Sequence, residues 1–286
     1  MHLSNRTTGK NMSLFPNADA LDVIRQEIDK MRGAMQEGAN HLLHIHNLQH
    51  AIIQEIVNIN LYRSYENLGR EKTLEFEYDG ALVKLFLPTG PMDLIQRDIL
   101  WKRTFFHPES LEMIRALMPM EGERILDIGA YIGNHTVFFA KICGAAEVES
   151  FEPVRSSFRA LERNTKLNNV NAKLHNLGLG AAAGEARVNL VETNAGGSAL
   201  QHFAGGGVKV APLDSLDLAP FRAMKIDVEG MAVEVLQGAR QSIETHRPSI
   251  VVEAFPHEFD AVNDLLLSMS YRKIGQVSDD HVYVVA

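Results

Sequence analysis

The segment RILDIGAYIGNHTVFFAK, residues 124–141, constrains the fold more than any other part of the chain. A short apolar run, residues 125–128, predicts a buried strand, and a turn that contains Gly129 and Gly133 follows it. The apolar residues after this turn are spaced as in a helix. A strand, a glycine turn and a helix form the ligand crevice of open α/β sheets, where glycine lets the backbone turn tightly and approach a ligand. We therefore predict an α/β domain over residues 124–286.

The glycine spacing indicates which kind of ligand the turn suits. Dinucleotide-binding turns need three glycines in the pattern G-x-G-x-x-G. Here the pattern is D-x-G-x-x-x-G, beginning at Asp127. A carboxylate in the turn would repel a diphosphate and attract an amino or sulfonium group. The pattern therefore argues against a dehydrogenase and favours a ligand with a positively charged end.

The acidic balance of the chain limits its partners. The chain has 286 residues, a formal net charge of -8 and a pI of about 5.8. It has no basic cluster, so we predict no nucleic-acid partner. No apolar run is long enough to span a bilayer, and the N-terminus lacks the apolar core of a signal peptide. The single cysteine, Cys143, cannot form an internal disulfide, which favours a reducing, cytoplasmic setting.

A heptad repeat of apolar residues follows a polar segment, residues 1–18, that we predict to be disordered. It predicts a coiled-coil helix over residues 19–61. A narrow apolar stripe favours a homo-oligomer joined through residues 21–59, and isoleucine at the second seam position favours a trimer or tetramer. The alternative is that the stripe packs on the chain's own α/β domain. The seam consists of Leu21, Ile24, Ile28, Met31, Met35, Leu42, Ile45, Ile52, Ile56 and Ile59, with Gly38 and Gln49 at the two remaining positions.

Four histidines, His41, His44, His46 and His50, lie in the same predicted helix but outside the seam. His46 and His50 have the spacing of two metal ligands on one helix face, and so do His41 and His44. We interpret all four as solvent-exposed side chains, and we assign no residue of the chain to a metal site.

The segment between the coiled coil and the α/β domain, residues 62–123, is predicted to form a linker and a cap. Residues 62–72 are polar and form the linker, and a hairpin signal around Asp79 and two helices follow. Beyond residue 124, strands alternate with helices, which predicts a mostly parallel sheet. Within that alternation, the glycine-rich residues 194–207 predict a loop.

Acidic residues end two of the predicted strands. Glu152 comes about 20 residues after the glycine turn, where an acid can hydrogen-bond the two ribose hydroxyls of an adenosyl ligand. Asp227 and Glu229 belong to the run KIDVEG and would reach the crevice close to each other. Crowded carboxylates raise one pKa, which suits a general base, although they would equally bind a metal or an amino group. His135, just after the glycine turn, is a second candidate base.

Six blocks of the chain, within roughly residues 91–286, resemble the successive motifs of FkbM-type methyltransferases. The resemblance implies a Rossmann-like class I methyltransferase sheet with helices on both faces and S-adenosylmethionine (SAM) as cofactor. It also implies methyl transfer to a hydroxyl of a sugar, a glycan or a polyketide-like product, so that the partner would be a small-molecule or glycan substrate. The heptad helix lies outside the resemblance. The blocks are ILDIGAYIGNHT, SFEPVRSSFRALERNTKLNNV, LGLGAAAGEARV, PLDSL, KIDVEGMAVEVLQGA and RPSIVVEA.

The resemblance also implies roles for individual residues. Those that would line the reaction centre are Asp227, Glu229 and Gly230, and those that would bind SAM are Asp127, Gly129, Ala130, Tyr131, Gly133, Glu152 and Asp227. Two positions depart from the family pattern. Tyr131 replaces the usual Asn of the turn, and Ala232 stands where a Glu often follows. Both departures concern the acceptor side rather than the cofactor side.

Two other functions remain open from the sequence. In a metal-assisted O-methyltransferase, Asp227 and Glu253 would hold a divalent cation that lowers the pKa of the hydroxyl. In a non-catalytic coiled-coil scaffold, a degenerate SAM domain would bind the cofactor without turnover. Chelation distinguishes the first alternative, and a comparison of SAM binding with turnover distinguishes the second.

Overall fold

The computed structural model describes residues 18–191, 194–202 and 207–286. The chain divides into two units, residues 1–59 and residues 60–286. Most of the segment predicted to be disordered, residues 1–17, lies outside the described residues. The helices are α1 (Ala18–Asn67), α2 (Leu94–Lys102), α3 (Pro108–Leu117), α4 (Asn134–Lys141), α5 (Arg155–Asn168), α6 (Ala232–Gly238), α7 (Arg240–His246) and α8 (Phe259–Ser268). The strands are β1 (Thr73–Tyr78), β2 (Ala81–Phe86), β3 (Arg124–Ile128), β4 (Glu147–Phe151), β5 (Ala172–His175), β6 (Gly178–Leu179), β7 (Gly184–Val191), β8 (Asn194–His202), β9 (Val208–Ala211), β10 (Ala223–Ile226), β11 (Ser249–Glu253), β12 (Tyr271–Val277) and β13 (Asp280–Val285).

Helix α1 is longer than the heptad pattern predicts. Residues 62–67, predicted as part of a polar linker, are helical and belong to the second unit. The linker prediction is wrong here because the end of α1 packs against the core: Leu61 is only 2% exposed, Tyr65 lies against the same apolar cluster, and the Tyr65 hydroxyl donates to the Pro88 carbonyl at 2.7 Å. None of the described helices combines the length and apolar character that a membrane span needs.

The central sheet has seven strands in the order β12-β13-β11-β10-β3-β4-β5. The five strands β11, β10, β3, β4 and β5 run parallel, whereas β13 and β12 run antiparallel and make the sheet mixed. Strand β3 lies between β10 and β4. The strand that follows β3 in sequence, β4, lies on one side of it, and the later strands β10 and β11 lie on the other side, so the strand order reverses at β3. Such a switch point opens a crevice at the carboxyl ends of the strands, where ligands bind in open α/β sheets.

Helices cover both faces of this sheet because the strands carry apolar side chains on both sides. Ile125 of β3 packs in the core that includes Phe138 of α4 and residues of α2 and α3. Leu126 and Ile128 of the same strand pack in the opposite core, with Leu236 of α6 and residues of α7 and α8. Central strands buried on both faces are typical of parallel sheets, and the α/β class predicted from the sequence is confirmed.

A smaller sheet has the strand order β6-β9-β7-β8. The predicted glycine-rich loop over residues 194–207 is wrong for its first part, which forms β8 and pairs antiparallel with β7. The ladder joins Ala186 to His202 and Val188 to Leu200. Backbone pairing with a neighbouring strand overrides the low strand propensity of glycine. Residues 203–206 of the predicted loop lie outside the described residues.

The two glycines of the turn after β3 are required by contacts within the protein. Both have left-handed backbone conformations, with φ of 84° at Gly129 and 86° at Gly133. A Cβ on Gly129 would lie 1.7 Å from the Asp227 carbonyl oxygen, and one on Gly133 would lie 2.7 Å from Leu161 Cδ1. The sequence predicted that these glycines let the backbone turn tightly and approach a ligand. The contacts add a packing role, because the glycines let β3 pass beside the end of β10 and let α4 approach α5.

Replacing Gly129 by alanine is therefore expected to destabilise the fold strongly. The left-handed conformation costs an L-residue about 1–2 kcal/mol, and the overlap with the Asp227 carbonyl adds to it. Gly122 is the matched control, because its φ is 72° and nothing lies within 4 Å of its added Cβ. We expect Gly129→Ala to lower Tm by at least about 4–8 °C and more than Gly122→Ala does. Equal shifts in calorimetry would contradict a packing role for Gly129.

Candidate active site

The Glu152 carboxylate closes the turn after β3 onto the end of β4. It is 5% exposed, and its two oxygens accept hydrogen bonds from the backbone N–H of Tyr131 at 2.9 Å and of Val154 at 2.7 Å. Burial raises the pKa of Glu152 to about 7, although these two N–H groups oppose the shift. Each carboxylate oxygen has a second lone pair, so Glu152 is able to accept further hydrogen bonds from a ligand.

A first cavity begins beside Glu152 and runs along the carboxyl edge of the sheet. Its walls near Glu152 are apolar, and its other end is acidic, with Asp227 and Glu229. An apolar cleft with a few convergent polar groups is typical of a small-molecule site. The lining residues are Ile128, Gly129, Tyr131, Phe151, Glu152, Pro153, Val154, Leu177, Gly178, Leu179, Asp227, Val228, Glu229 and Met231.

A second cavity, of about 290 Å³, adjoins the first and shares Gly129, Tyr131, Asp227 and Glu229 with it. Its volume lies near the lower end of the range for ligand pockets. It combines apolar and aromatic side chains with several acids and with His135. The lining residues that the first cavity lacks are Leu94, Ile95, Phe106, His107, Ala130, Asn134, His135, Glu253, Phe255 and Asp279.

Asp127 does not lie in the turn, as the sequence suggested, but in the buried strand β3. Its side chain is 0% exposed and lines neither cavity. One carboxylate oxygen accepts a hydrogen bond from Thr136 Oγ1 at 2.5 Å, which ties β3 to α4. Burial raises the pKa of the Asp127 carboxyl, although Lys225 and Thr136 oppose the shift. Any effect of Asp127 on a ligand is therefore exerted through the residues that it holds in place.

A buried lysine in β10 holds Asp227 at the mouth of the crevice. Lys225 is 1% exposed, stands beside Asp127 in the β10–β3 ladder, and lies 2.7 Å from the Asp227 carboxylate. Burial would lower the pKa of Lys225, but the carboxylates of Asp227, Asp127 and Asp280 outweigh it and raise that pKa to about 12. Burial would likewise raise the pKa of Asp227, but Lys225 outweighs it and holds that pKa below its usual value. Asp227 is thus an ionised, fixed group.

Two further carboxyl groups lie beside Asp227. Carboxylate oxygens of Asp227, Glu229 and Glu253 all lie within 4.8 Å of one another. Burial and the Asp227 charge raise the pKa of Glu253 to about 10, so Glu253 carries a proton at neutral pH. The same two causes raise the pKa of Glu229 to about 7. The prediction that crowding raises the pKa of one acid and produces a base suited to neutral pH therefore points to Glu229.

Glu229 and His135 differ in how well they fit the role of a base. Among the described residues, no hydrogen bond or ion pair holds the Glu229 side chain, which lines both cavities. His135 lines only the second cavity. Burial, with the nearby Lys225 charge, lowers the pKa of His135 well below its usual value. His135 is thus neutral but weakly basic, whereas Glu229 is better matched to accept a proton near pH 7.

The structure brings together some of the predicted site residues and separates others. Gly129, Tyr131, Glu152, Asp227 and Glu229 line the first cavity, and Ala130 and His135 line the second. Asp127 and Gly133 line neither of these two cavities.

The FkbM methyltransferase domain model matches residues 127–273, just over half of the chain. The chain belongs to the FkbM methyltransferase family. This confirms the family resemblance of the six sequence blocks. The matched span contains Asp127, Glu152, Asp227, Glu229 and Glu253, so these five acids of the FkbM-family chain all lie inside the shared domain. No curated protein matches the chain.

Solved structures with a similar fold include the following three, all of low sequence identity. Methyltransferase FkbM from Methylobacillus flagellatus KT is 20% identical with a TM-score of 0.46, and the alignment covers 65% of this chain and 49% of that chain. The FkbM-family chain thus spans about half the length of that protein. The ribosomal protein L11 methylase of Lactobacillus delbrueckii subsp. bulgaricus is 10% identical, with a TM-score of 0.43 and coverage of 63% and 77%. M. jannaschii TYW2 in complex with AdoMet is 13% identical, with a TM-score of 0.40 and coverage of 76% and 85%.

The sequence did not predict two contacts of this FkbM-family site, the ion pair of Lys225 with Asp227 and the hydrogen bond of Gln96 with Tyr131. The Lys225 side chain belongs to the same run as Asp227, but its burial depends on the pairing of β10 with β3. The Tyr131 hydroxyl accepts a hydrogen bond from Gln96 Nε2 at 2.6 Å, which ties the turn to the start of α2. This contact gives the departure from the family's usual asparagine a structural role.

Proposed function

We propose that the protein is a SAM-dependent O-methyltransferase that transfers a methyl group to a hydroxyl of a sugar, a glycan or a related natural product. The observation that carries this proposal is the junction of two cavities at Gly129, Tyr131, Asp227 and Glu229. The first cavity would hold the cofactor and the second the acceptor, so that the transferred group lies beside two carboxylates. The cofactor supplies an already activated methyl group when it is bound.

The residues of the first cavity fit SAM. The apolar walls, which include Phe151, Leu177 and Leu179, suit an adenine ring, and Glu152 is placed to accept hydrogen bonds from the ribose hydroxyls. The acidic end, with Asp227 and Glu229, suits a sulfonium group and an ammonium group. This distribution of apolar and acidic groups agrees with the charge preference that the sequence indicates.

Glu152→Ala is expected to weaken SAM binding by about 1.5–3 kcal/mol, the range for hydrogen bonds to a charged group. The wild-type affinity should also fall as the pH drops below about 7, because the pKa of Glu152 is about 7 and only the carboxylate accepts both hydroxyls. The measurement is calorimetric titration with SAM at several pH values, with Glu152→Gln as the isosteric comparison. An affinity that Glu152→Ala leaves unchanged would contradict ribose binding by Glu152.

Glu229 is the residue that we assign as general base. A hydroxyl of the acceptor would lie in the second cavity, within reach of the Glu229 carboxylate, which accepts its proton. Asp227 stays ionised beside Lys225 and orients the reacting groups. Alignment of the reacting atoms and removal of the proton are the two contributions that the protein makes.

Methyl transfer from labelled SAM to a panel of neutral sugars, nucleotide sugars, glycans and lipid-linked sugars tests the reaction type. We expect the label in a product that resists alkali, since an ether bond is stable to base. Label that alkali releases as methanol would mark a carboxyl ester and contradict transfer to a hydroxyl. Label on an amine would contradict it as well.

A metal-assisted reaction is the second candidate, and the cluster of Asp227, Glu229 and Glu253 favours it, since three oxygen ligands within 4.8 Å of one another suit a divalent cation. The Lys225 ammonium group would compete with a cation for Asp227, because it already lies 2.7 Å from that carboxylate. Turnover that is lost on chelation and restored by magnesium or manganese would select this mechanism. Turnover that chelators leave unchanged would exclude it.

We also propose that the chain is a homo-oligomer, a trimer or tetramer, assembled in parallel through the seam of α1. Two exposed side chains support this proposal, since Leu42 is 70% and Ile45 51% exposed. Several active sites on one assembly would suit a polymeric glycan through effective concentration. The single thiol, Cys143, supports a reducing, cytoplasmic setting.

A further inference from the structure

Some residues that flank the seam of α1 would form complementary pairs between neighbouring helices, when each is matched with the residue five positions further along the partner. In a parallel coiled coil, the residue just before one seam position faces, on the neighbouring helix, the residue five positions further along. At this spacing Glu27 would face an arginine, Arg32, and Leu48 would face Ile53. Among the described residues of one chain, the Glu27 carboxylate forms an ion pair with Lys30 at 2.8 Å through one of its oxygens. Opposite charges and paired apolar side chains therefore favour a second copy in parallel register as the occupant of this face.

The same spacing brings histidines of neighbouring helices together. His41 and His46 are five residues apart and lie on opposite sides of the seam. In the parallel register, His41 of one helix faces the partner's His46. His50 follows His46 by one helical turn, and their rings lie 4.5 Å apart edge to face. Each helix pair thus gathers three imidazoles, of which the partner copy contributes two.

A hydrogen bond at Nδ1 of the His41 ring leaves Nε2 for a metal. Its Nδ1 lies 2.9 Å from the Glu37 carbonyl oxygen, which can only accept a hydrogen bond. Nδ1 therefore carries the proton, and in the neutral ring Nε2 keeps its lone pair for a metal. A backbone carbonyl that fixes the tautomer in this way is the usual outer partner of a metal-bound histidine. All three side chains are exposed in the single chain.

We propose that His41 of one helix, together with the partner's His46 and the partner's His50, binds a divalent transition-metal cation and joins the copies of the chain. Imidazole is a preferred ligand of zinc, copper and nickel, and three histidines with a water complete the tetrahedral shell of zinc. A parallel ring of helices contains one such site per chain. The inference rests on the proposed assembly, because one helix brings together only two of the three ligands of this site, His46 and His50.

Zinc titration of the tag-free full-length protein tests the site. Calorimetry should give one zinc per chain, and light scattering over a dilution series should show dissociation shifted to lower concentration. At free zinc of about 100 times the site Kd, the apparent dissociation constant should tighten about 100-fold per site. His41→Ala should bind zinc at least about 10-fold more weakly, since even residues that only orient a ligand change affinity about 10–100-fold.

Three variants separate the sources of a zinc effect. His44→Ala is the matched control, because His44 lies on the same helix but on its outer side, and zinc should affect it as it does the wild type. A His46→Ala/His50→Ala variant measures zinc held elsewhere, including at the acidic cluster of Asp227. A mass of one chain with and without zinc would overturn the assembly and the site together. An oligomer that zinc leaves unchanged, or one that His41→Ala stabilises as well as the wild type, would overturn the site alone.

Discussion

Glu229→Gln is expected to lower kcat by about 10²–10⁴-fold, the contribution of a positioned general base. Its Tm should stay close to wild type, because no hydrogen bond or ion pair among the described residues holds the Glu229 side chain. At saturating SAM, wild-type kcat should rise with pH through about 7, as the pKa of Glu229 is about 7 and only its carboxylate accepts the proton. The variant should lose this rise. The measurement is the pH profile of labelled methyl transfer to an acceptor from the panel.

Glu253→Gln is the matched control for this prediction. The Glu253 carboxyl is protonated at neutral pH, since its pKa is about 10, and an amide resembles it in size and charge. Turnover should therefore change little. Asp227→Asn should reduce turnover far more than Glu253→Gln. It should also lower Tm, because buried Lys225 loses its counter-ion. If Glu229→Gln turns over normally while His135→Ala is inactive, the base is His135.

The second large effect is expected in the mass of the full-length protein. The wild type should scatter light as three or four chains of 31.8 kDa, and an Ile45→Asp/Ile52→Asp variant as one. Both isoleucines occupy the same side of the seam, and an unpaired aspartate buried between helices costs several kcal/mol. The change should leave SAM binding intact, because the first cavity is lined only by residues 128–231.

Leu43→Asp is the control for the assembly. Leu43 is 59% exposed, like the seam residues, but lies on the outer side of the heptad. Its mass should equal that of the wild type. Equal masses for the wild type and the seam variant would mean that α1 does not assemble through this stripe. Dissociation by Leu43→Asp as well would show that general loss of helix, and not the seam, sets the mass.

Local patterns predicted much of the fold, since the strand and turn at residues 124–133 and the hairpin around Asp79 follow from apolar spacing and turn residues. The end of α1 and strand β8 were not predicted. The end of α1 depends on a partner distant in sequence, because the Tyr65 hydroxyl bonds the Pro88 carbonyl, whereas β8 forms a hairpin with the adjacent strand β7 in spite of its glycines. Tertiary contacts of this kind override local propensity.

The sequence predicted only part of the arrangement of acids at the site, again because some contacts are not visible in a local pattern. Asp227 and Glu229 follow a strand end, so their place in the crevice follows from the rule for parallel sheets. The difference in their pKa values does not, because it depends on the buried Lys225 of β10 and on Glu253 at the end of the neighbouring strand β11. Asp127 was expected in the turn but lies in strand β3. A local apolar pattern does not show that neighbouring strands and helices will bury this polar side chain.

The binding of SAM to the full-length wild-type protein tests the central claim most directly. Calorimetric titration at pH 8 keeps Glu152 as the carboxylate, since its pKa is about 7. We expect saturable binding of one SAM per chain, competition by S-adenosylhomocysteine and weaker binding by Glu152→Ala. The absence of binding by the wild type, together with a Tm that SAM leaves unchanged, would contradict the assignment of the first cavity to the cofactor.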